Sequence, residues 1–128
     1  MRLLLDTHAF IWWDSNPDKL SPHALTLCRN RSHQLIVSIT SLWEMQIKAQ
    51  LGKLKLNLPM AELVENQKET NGIQVLSISF EHILELENLP NIHNDPFDRL
   101  LIAQAKVENA MIVTADPIFT QYPVTVVW

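Results

Sequence analysis

Four carboxylates in this chain fall where charge can do chemistry. Asp6 closes the apolar run Leu3-Leu4-Leu5, and Asp116 follows the segment AMIVT by two residues. Glu44 lies just beyond the segment QLIVS, and Asp98 stands in the stretch DPFDRLLIAQAKV. Each has an ordinary structural reading beside the chemical one. Asp6 suits the N-cap of a following helix, and Asp116, before Pro117, suits the start of a turn. Ser41-Leu42-Trp43-Glu44 has the spacing of a capping box, in which the glutamate reaches back to the N-cap amide. Asp98, in a first helical turn, favours the positive end of the helix dipole. The residues sharing its face, however, are Leu101, Ile102 and Ala105, so that face is expected to turn inward, where an unpaired carboxylate is expensive. Ile47 and Leu51 continue the face of Glu44 and are expected to point it inward too.

Acids gathered at one place repel. At ~5 Å and an effective dielectric of ~20, each ionised pair costs about 3 kcal/mol. Either some are protonated or a cation sits among them. With oxygen donors only, a hard divalent ion, Mg²⁺ or Mn²⁺, is the natural occupant. Zinc is disfavoured, because the five histidines are scattered and none has ligand spacing to another histidine or to Cys28.

The elements that must position these acids alternate along the chain. Leu3–Leu5, Gln34–Ser38, Ile73–Ile78, Ala110–Thr114 and Val124–Val127 read as short strands. Helices are expected at Thr7–Trp13, from Pro22 to about Asn30, at Ser41–Gln50, from Pro59 to Asn71, at Ser79–Glu87, and from Pro96 to about Asn109. Ser21-Pro22 and Asp95-Pro96 are good helix starts, and Gly52 is placed to end a helix. Strands that are apolar throughout, separated by helices, belong to a parallel sheet covered on both faces. The expected fold is an α/β/α sandwich with a mainly parallel central sheet, as one domain over residues 1–128. In such sheets ligands bind beyond the carboxyl ends of the strands, where Asp6 and Asp116 fall.

Composition excludes several classes. At 47% hydrophobic and 19% charged residues the chain is neither a disordered tail nor a fibre. Two glycines cannot build a dinucleotide fingerprint or a Walker-type phosphate loop. A single cysteine, Cys28, makes no internal disulfide and asks for no oxidising compartment. No stretch approaches the ~18 apolar residues of a membrane span, and the apolar run before Asp6 is too short for a signal-peptide core. The cytoplasm is the compartment expected. A net charge of −4 argues against holding nucleic acid by bulk electrostatics.

LLLDTHAFIWW, Glu44 after its strand, HNDPFDRLLIAQA and VTADPIF together resemble the PIN-domain ribonucleases, and more narrowly the VapC-type toxins of toxin–antitoxin pairs. The resemblance covers essentially the whole chain. It implies a metal-dependent endoribonuclease, with Asp6, Glu44 and Asp98 matching the core acids that hold Mg²⁺ or Mn²⁺ and Asp116 matching a more variable fourth. It also implies an RNA substrate, products with a 5′-phosphate and a 3′-hydroxyl, a homodimer, and a protein antitoxin that occupies the active-site groove. Asp95 is read as a cap that influences the acids indirectly. Thr7, Ser41 and Thr114 are hydroxyls placed to bond the acids or simply to cap, and Arg99 is free to meet a carboxylate or a phosphate.

Lys48, Lys53 and Lys55 form the best basic patch, although Lys48 and Lys53 also suit a helix C-terminus. Trp12 and Trp13 are adjacent and cannot both face inward, so one is expected at the surface or against a partner; Trp43 neighbours the acids. His8 follows Asp6 too closely for a general base and reads as packing. Three competing functions remain open. An aspartyl-phosphate enzyme would need a lysine near a late strand end, which AMIVTAD lacks. A non-catalytic module would use its acids to receive a basic segment. A PIN nuclease could also process RNA outside any toxin–antitoxin pair.

Overall fold

The computed structural model describes all of residues 1–128. Five strands form one sheet: β1 (Arg2–Leu5), β2 (Gln34–Ser38), β3 (Gln74–Leu76), β4 (Met111–Val113) and β5 (Val126–Val127). Their order across the sheet is β3-β2-β1-β4-β5, and every neighbouring pair is parallel. Six helices connect them: α1 (Thr7–Ser15), α2 (Pro22–Arg29), α3 (Ile39–Gln50), α4 (Met60–Asn71), α5 (Phe80–Glu85) and α6 (Pro96–Glu108).

Alternation along the pleat divides the apolar strands between two cores. Leu3, Leu5, Leu35, Val37 and Val113 pack with Ala9, Phe10, Ala24, Met45 and Leu63 on one side. Leu4, Ile36 and Ile112 pack with Leu101, Ile102, Ala105 and Phe119 on the other. Because both faces are covered, β1 and β2 carry no polar alternation. That is the sandwich expected from the sequence, with the sheet parallel throughout.

Several boundaries differ from those expected. α3 begins at Ile39 rather than Ser41, because Ser38 caps it through the Thr40 amide. The β-branched pair Ile39-Thr40 thus belongs to the helix, and the chain passes from strand to helix with no loop between. Late strands are shorter than their apolar runs, with β5 reduced to Val126–Val127. The helix expected over Ser79–Glu87 stops at Glu85 and tightens into a 3-10 turn over Leu86–Asn88. Two further 3-10 turns, Pro17–Lys19 and Pro117–Gln121, fall where Asn16-Pro17 and Asp116-Pro117 mark turns in the sequence. Gly72 at φ 63° and Asn109 at φ 54° end α4 and α6 in the left-handed conformation that such caps require.

Candidate active site

The carboxyl edge of the sheet collects the four acids on three different elements and one loop. Asp6 follows β1 directly, and its amide still donates to Val113 O at 3.1 Å, so the backbone ladder holds it against β4. Its Oδ1 accepts from the Ala9 amide at 2.8 Å, which is the N-cap of α1. Its Oδ2 accepts from Thr114 Oγ1 at 2.5 Å, and the same hydroxyl accepts from the Asp116 amide at 3.0 Å. Thr114 therefore ties Asp6 to the loop that carries Asp116. Asp6 is only 5% exposed, and burial raises its carboxyl above the usual range; the Thr114 and Ala9 bonds and the neighbouring His8 oppose this, while the charge of Asp116 adds to it. No lysine, arginine or histidine pairs with Asp6. A cleft of about 310 Å³ opens beside it, lined by His8, Trp12 and Asp116 among others. Asp116 also performs the turn-starting role expected of it, accepting from the Ile118 amide at 3.0 Å.

Glu44 is buried by neighbours other than those its helical face suggested. Leu51, on that face, is 63% exposed. The capping box is absent too, since α3 starts at Ile39 and leaves Glu44 more than a turn inside the helix. Instead Thr7 Oγ1 donates to Glu44 Oε1 at 2.7 Å and lies 3.0 Å from Ser41 Oγ. Lys48 Nζ reaches Glu44 Oε2 at 2.8 Å. Thr7 adjoins Asp6 in sequence, so α1 couples the first acid to the second through one residue. The basic patch loses Lys48 to this pair.

Asp98 occupies the first turn of α6, where its amide donates to Asp95 Oδ1 at 3.0 Å. Asp95 is thus the cap expected of it. The face Leu101, Ile102 and Ala105 is buried as the sequence indicated. Burial pushes the Asp98 carboxyl up to about 6, with the charges of Asp95 and Glu44 adding to the rise and a bond from His93 opposing it. His93 Nε2 stands 3.2 Å from Asp98 Oδ2, and its Nδ1 stands 2.6 Å from the Tyr122 hydroxyl. Neither residue was legible in the sequence: His93 lies in a loop without periodicity, and only the fold brings Tyr122 to it. Arg99 meets no carboxylate. It donates to Pro90 O at 2.8 Å and to the Tyr122 hydroxyl at 3.2 Å, with its guanidinium 6.0 Å from that ring.

The tryptophans sort differently from expectation. Trp12 and Trp13 are both half-buried, Trp12 tilted against His8 and Trp128, and Trp13 bonded to Gln67. The exposed one is Trp43, at 55%, packed edge-on against Phe97 at 5.0 Å between the two acid-bearing helices. His8 stays at the surface against Trp12, consistent with a packing role.

The acids share one edge in two groups. Asp6 feels Asp116, and Asp98 feels Glu44. No three His, Cys, Asp or Glu side chains stand close enough to hold an ion between them as they are. The chemistry of the donors nevertheless fits a hard divalent cation: every candidate ligand is an oxygen, and Asp6 is a buried carboxylate with no salt-bridge partner.

The family model for the PIN domain matches residues 3–124. Ribonuclease VapC22 of Mycobacterium tuberculosis is 27% identical over 115 residues, covering 89% of this chain and 86% of that protein. Among solved structures, VapBC2 from Rickettsia felis, bound to a DNA fragment from its promoter, superposes with a TM-score of 0.73 at 18% identity, over 100% of this chain and 99% of that one. DNA-bound VapBC from Salmonella typhimurium gives a TM-score of 0.69 at 18% identity, over 99% and 97% of the two chains. At these identities the structural likeness is one of fold.

Proposed function

This chain belongs to the PIN-domain family, and from that premise we propose that it is a divalent-metal-dependent endoribonuclease acting as the toxin of a toxin–antitoxin pair. The observation that carries the reading is Asp6: a carboxylate 5% exposed at the carboxyl edge of a parallel sheet, beside a cleft, in no salt bridge. Asp6, Glu44, Asp98 and Asp116 would hold Mg²⁺ or Mn²⁺. Such an ion supplies charge neutralisation at a phosphodiester and a more acidic bound water.

The chain's own residues prepare the acids for that task. Thr114 and the Ala9 amide fix both oxygens of Asp6, so its rotamer is set before any ion arrives. Thr7 does the same for one oxygen of Glu44, and Lys48 balances the other. His93, steadied by Tyr122, orients Asp98. Positioning by hydroxyl and imidazole donors keeps the carboxylates in place without neutralising all of them.

RNA is the proposed substrate, in keeping with the name of the Mycobacterium tuberculosis relative. A protein antitoxin is the proposed partner, since the solved neighbours are VapBC complexes. Trp43, exposed beside Glu44, provides an anchor at the rim of the acids for a segment laid across them. A homodimer and a cytoplasmic location complete the reading; no helix is long and apolar enough to cross a membrane.

The test is cleavage by protein freed of any partner. With Mg²⁺ or Mn²⁺ it should cut single-stranded RNA to 5′-phosphate and 3′-hydroxyl ends, and EDTA should stop it. Asp6→Asn should lower the rate by at least ~100-fold while the protein stays folded, because asparagine still caps α1. Folded protein that cuts no RNA with either metal would instead favour a module whose acids receive a basic segment.

A further inference from the structure

A second, larger cleft lies at the opposite edge of the sheet. Its volume is about 430 Å³, and Trp13, Arg29, Arg31, His33 and Asn71 contribute to its walls. Gln34, at the start of the five-residue strand β2, lines it and pairs with Arg2, whereas Val37, near the other end of β2, pairs with Leu5 beside Asp6. The two sites are therefore separated by the length of a strand, roughly 16 Å.

The charge here is opposite to that of the rest of the molecule. No aspartate or glutamate lines this cleft, yet it gathers two of the four arginines in a chain of net charge −4. Neither arginine pairs with a carboxylate anywhere in the protein. Arg31 Nη2 donates to Thr70 O at 3.2 Å, which directs the side chain along the end of α4 and leaves its remaining donors unused. Arg29 and Arg31 are both exposed, so their donors are open to a ligand.

The aromatic wall is held rigid. Trp13 Nε1 donates to Gln67 Oε1 at 3.1 Å, Asn71 Nδ2 donates to the same oxygen at 2.9 Å, and Gln67 Nε2 donates to Asp14 at 2.9 Å. A fixed indole beside two unpaired guanidiniums is the combination that takes a base by stacking and a phosphate by forked hydrogen bonds.

We propose that this cleft binds a nucleotide unit, its phosphate on Arg29 and Arg31 and its base against Trp13. The unit comes either from an RNA strand or from a free nucleotide. The RNA source rests on the proposed nuclease function, in which case the cleft grips the substrate away from the scissile bond; the free-nucleotide source does not depend on that reading.

The experiment is a titration in EDTA, which removes metal-dependent cleavage from the measurement. The probes are a short single-stranded RNA, AMP and inorganic phosphate. The readouts are the anisotropy of labelled RNA and the indole NH resonance of Trp13, assigned with Trp13→Phe. RNA or AMP should move that resonance, and Arg29→Ala with Arg31→Ala should weaken binding about tenfold or more, steeply so at low salt. Arg29→Lys with Arg31→Lys keeps the charge but loses the forked hydrogen bonds, so it should bind between wild type and the alanine variant, and thermal melts should match wild type for both surface variants. Binding of RNA without AMP assigns the strand as the source, and binding of AMP alone assigns a free nucleotide. A Trp13 resonance unmoved by either, alanine variants that bind as wild type does, or a response to inorganic phosphate alone would overturn the proposal. If the protein with Mg²⁺ or Mn²⁺ cuts nothing, the nuclease reading fails while this titration still stands or falls by itself.

Discussion

At Asp98 the cost of burying a carboxylate is written into its proton affinity. Its carboxyl is pushed from 3.8 up to about 6, chiefly by burial, so the folded protein holds this proton more tightly than the unfolded chain does. Below about pH 4 both states are protonated and the group costs nothing. As pH rises from about 4 to about 6 the unfolded chain ionises first, and metal-free protein loses the stability that the neutral form gave. Urea unfolding in EDTA should show this decline, and Asp98→Asn should remove about 1 kcal/mol of it, allowing for solvent around a half-buried group. Identical pH profiles for the two proteins would show that Asp98 is already fully compensated. The residue types of this site were open to inspection in the sequence, and so were their double roles: Asp6, Asp95 and Asp116 each cap the helix or turn they precede while standing at the acid edge. The partners were less visible. His93, Tyr122 and the pairing of Thr7 with Glu44 depend on loops and on helix-to-helix distances that no local pattern encodes.

Among the elements, α6 is the one that ties the layers together. Gln104, fully buried at its centre, accepts from Ser38 Oγ at 2.5 Å and Thr40 Oγ1 at 3.2 Å, and donates to Ser77 O at 3.4 Å. One amide thus binds the strand-to-helix junction of β2 and α3 to the segment after β3. Replacing it in Gln104→Leu strands those groups, at a cost of about 1–3 kcal/mol in chemical denaturation. A double-mutant cycle with Thr40→Val should show coupling above ~0.5 kcal/mol; strict additivity would mean that the contact contributes nothing. This junction is also where the sequence misled. Ser38 and Ser41 both precede a helical pattern, and the Ser-x-x-Glu spacing favours the later one. The earlier serine prevails because Gln104 rewards a hydroxyl at position 38, a tertiary contact hidden from local reasoning. Elements set by strong punctuation, such as Asp95-Pro96 and Asn71-Gly72, were legible within a residue.

For the molecule as a whole, the proposed metal at an edge that carries two acid groups would link folding to metal binding. Mg²⁺ or Mn²⁺ at 100 times its dissociation constant should stabilise the protein by about 2.7 kcal/mol, raising Tm by roughly 10 °C for a domain of this size. The shift should shrink below about pH 6, where protons compete for Asp98, and shrink again in Asp6→Asn. A melting temperature indifferent to millimolar Mn²⁺ would tell against a metal at this edge. The sheet order explains why such a linkage spans the chain: β1, the first strand, lies in the middle, and its acid leans on a threonine 108 residues later.

That arrangement has a bearing on synthesis. A ribosome part-way through this message displays Asp6 long before Thr114 exists, and β1 lacks one of its two neighbours until β4 has emerged. The first and fourth acids are brought together only by the last fifth of the polypeptide, so, on the proposed function, a nascent or prematurely terminated chain that stops short of Thr114 would have no assembled cutting edge to turn on the transcript that encodes it.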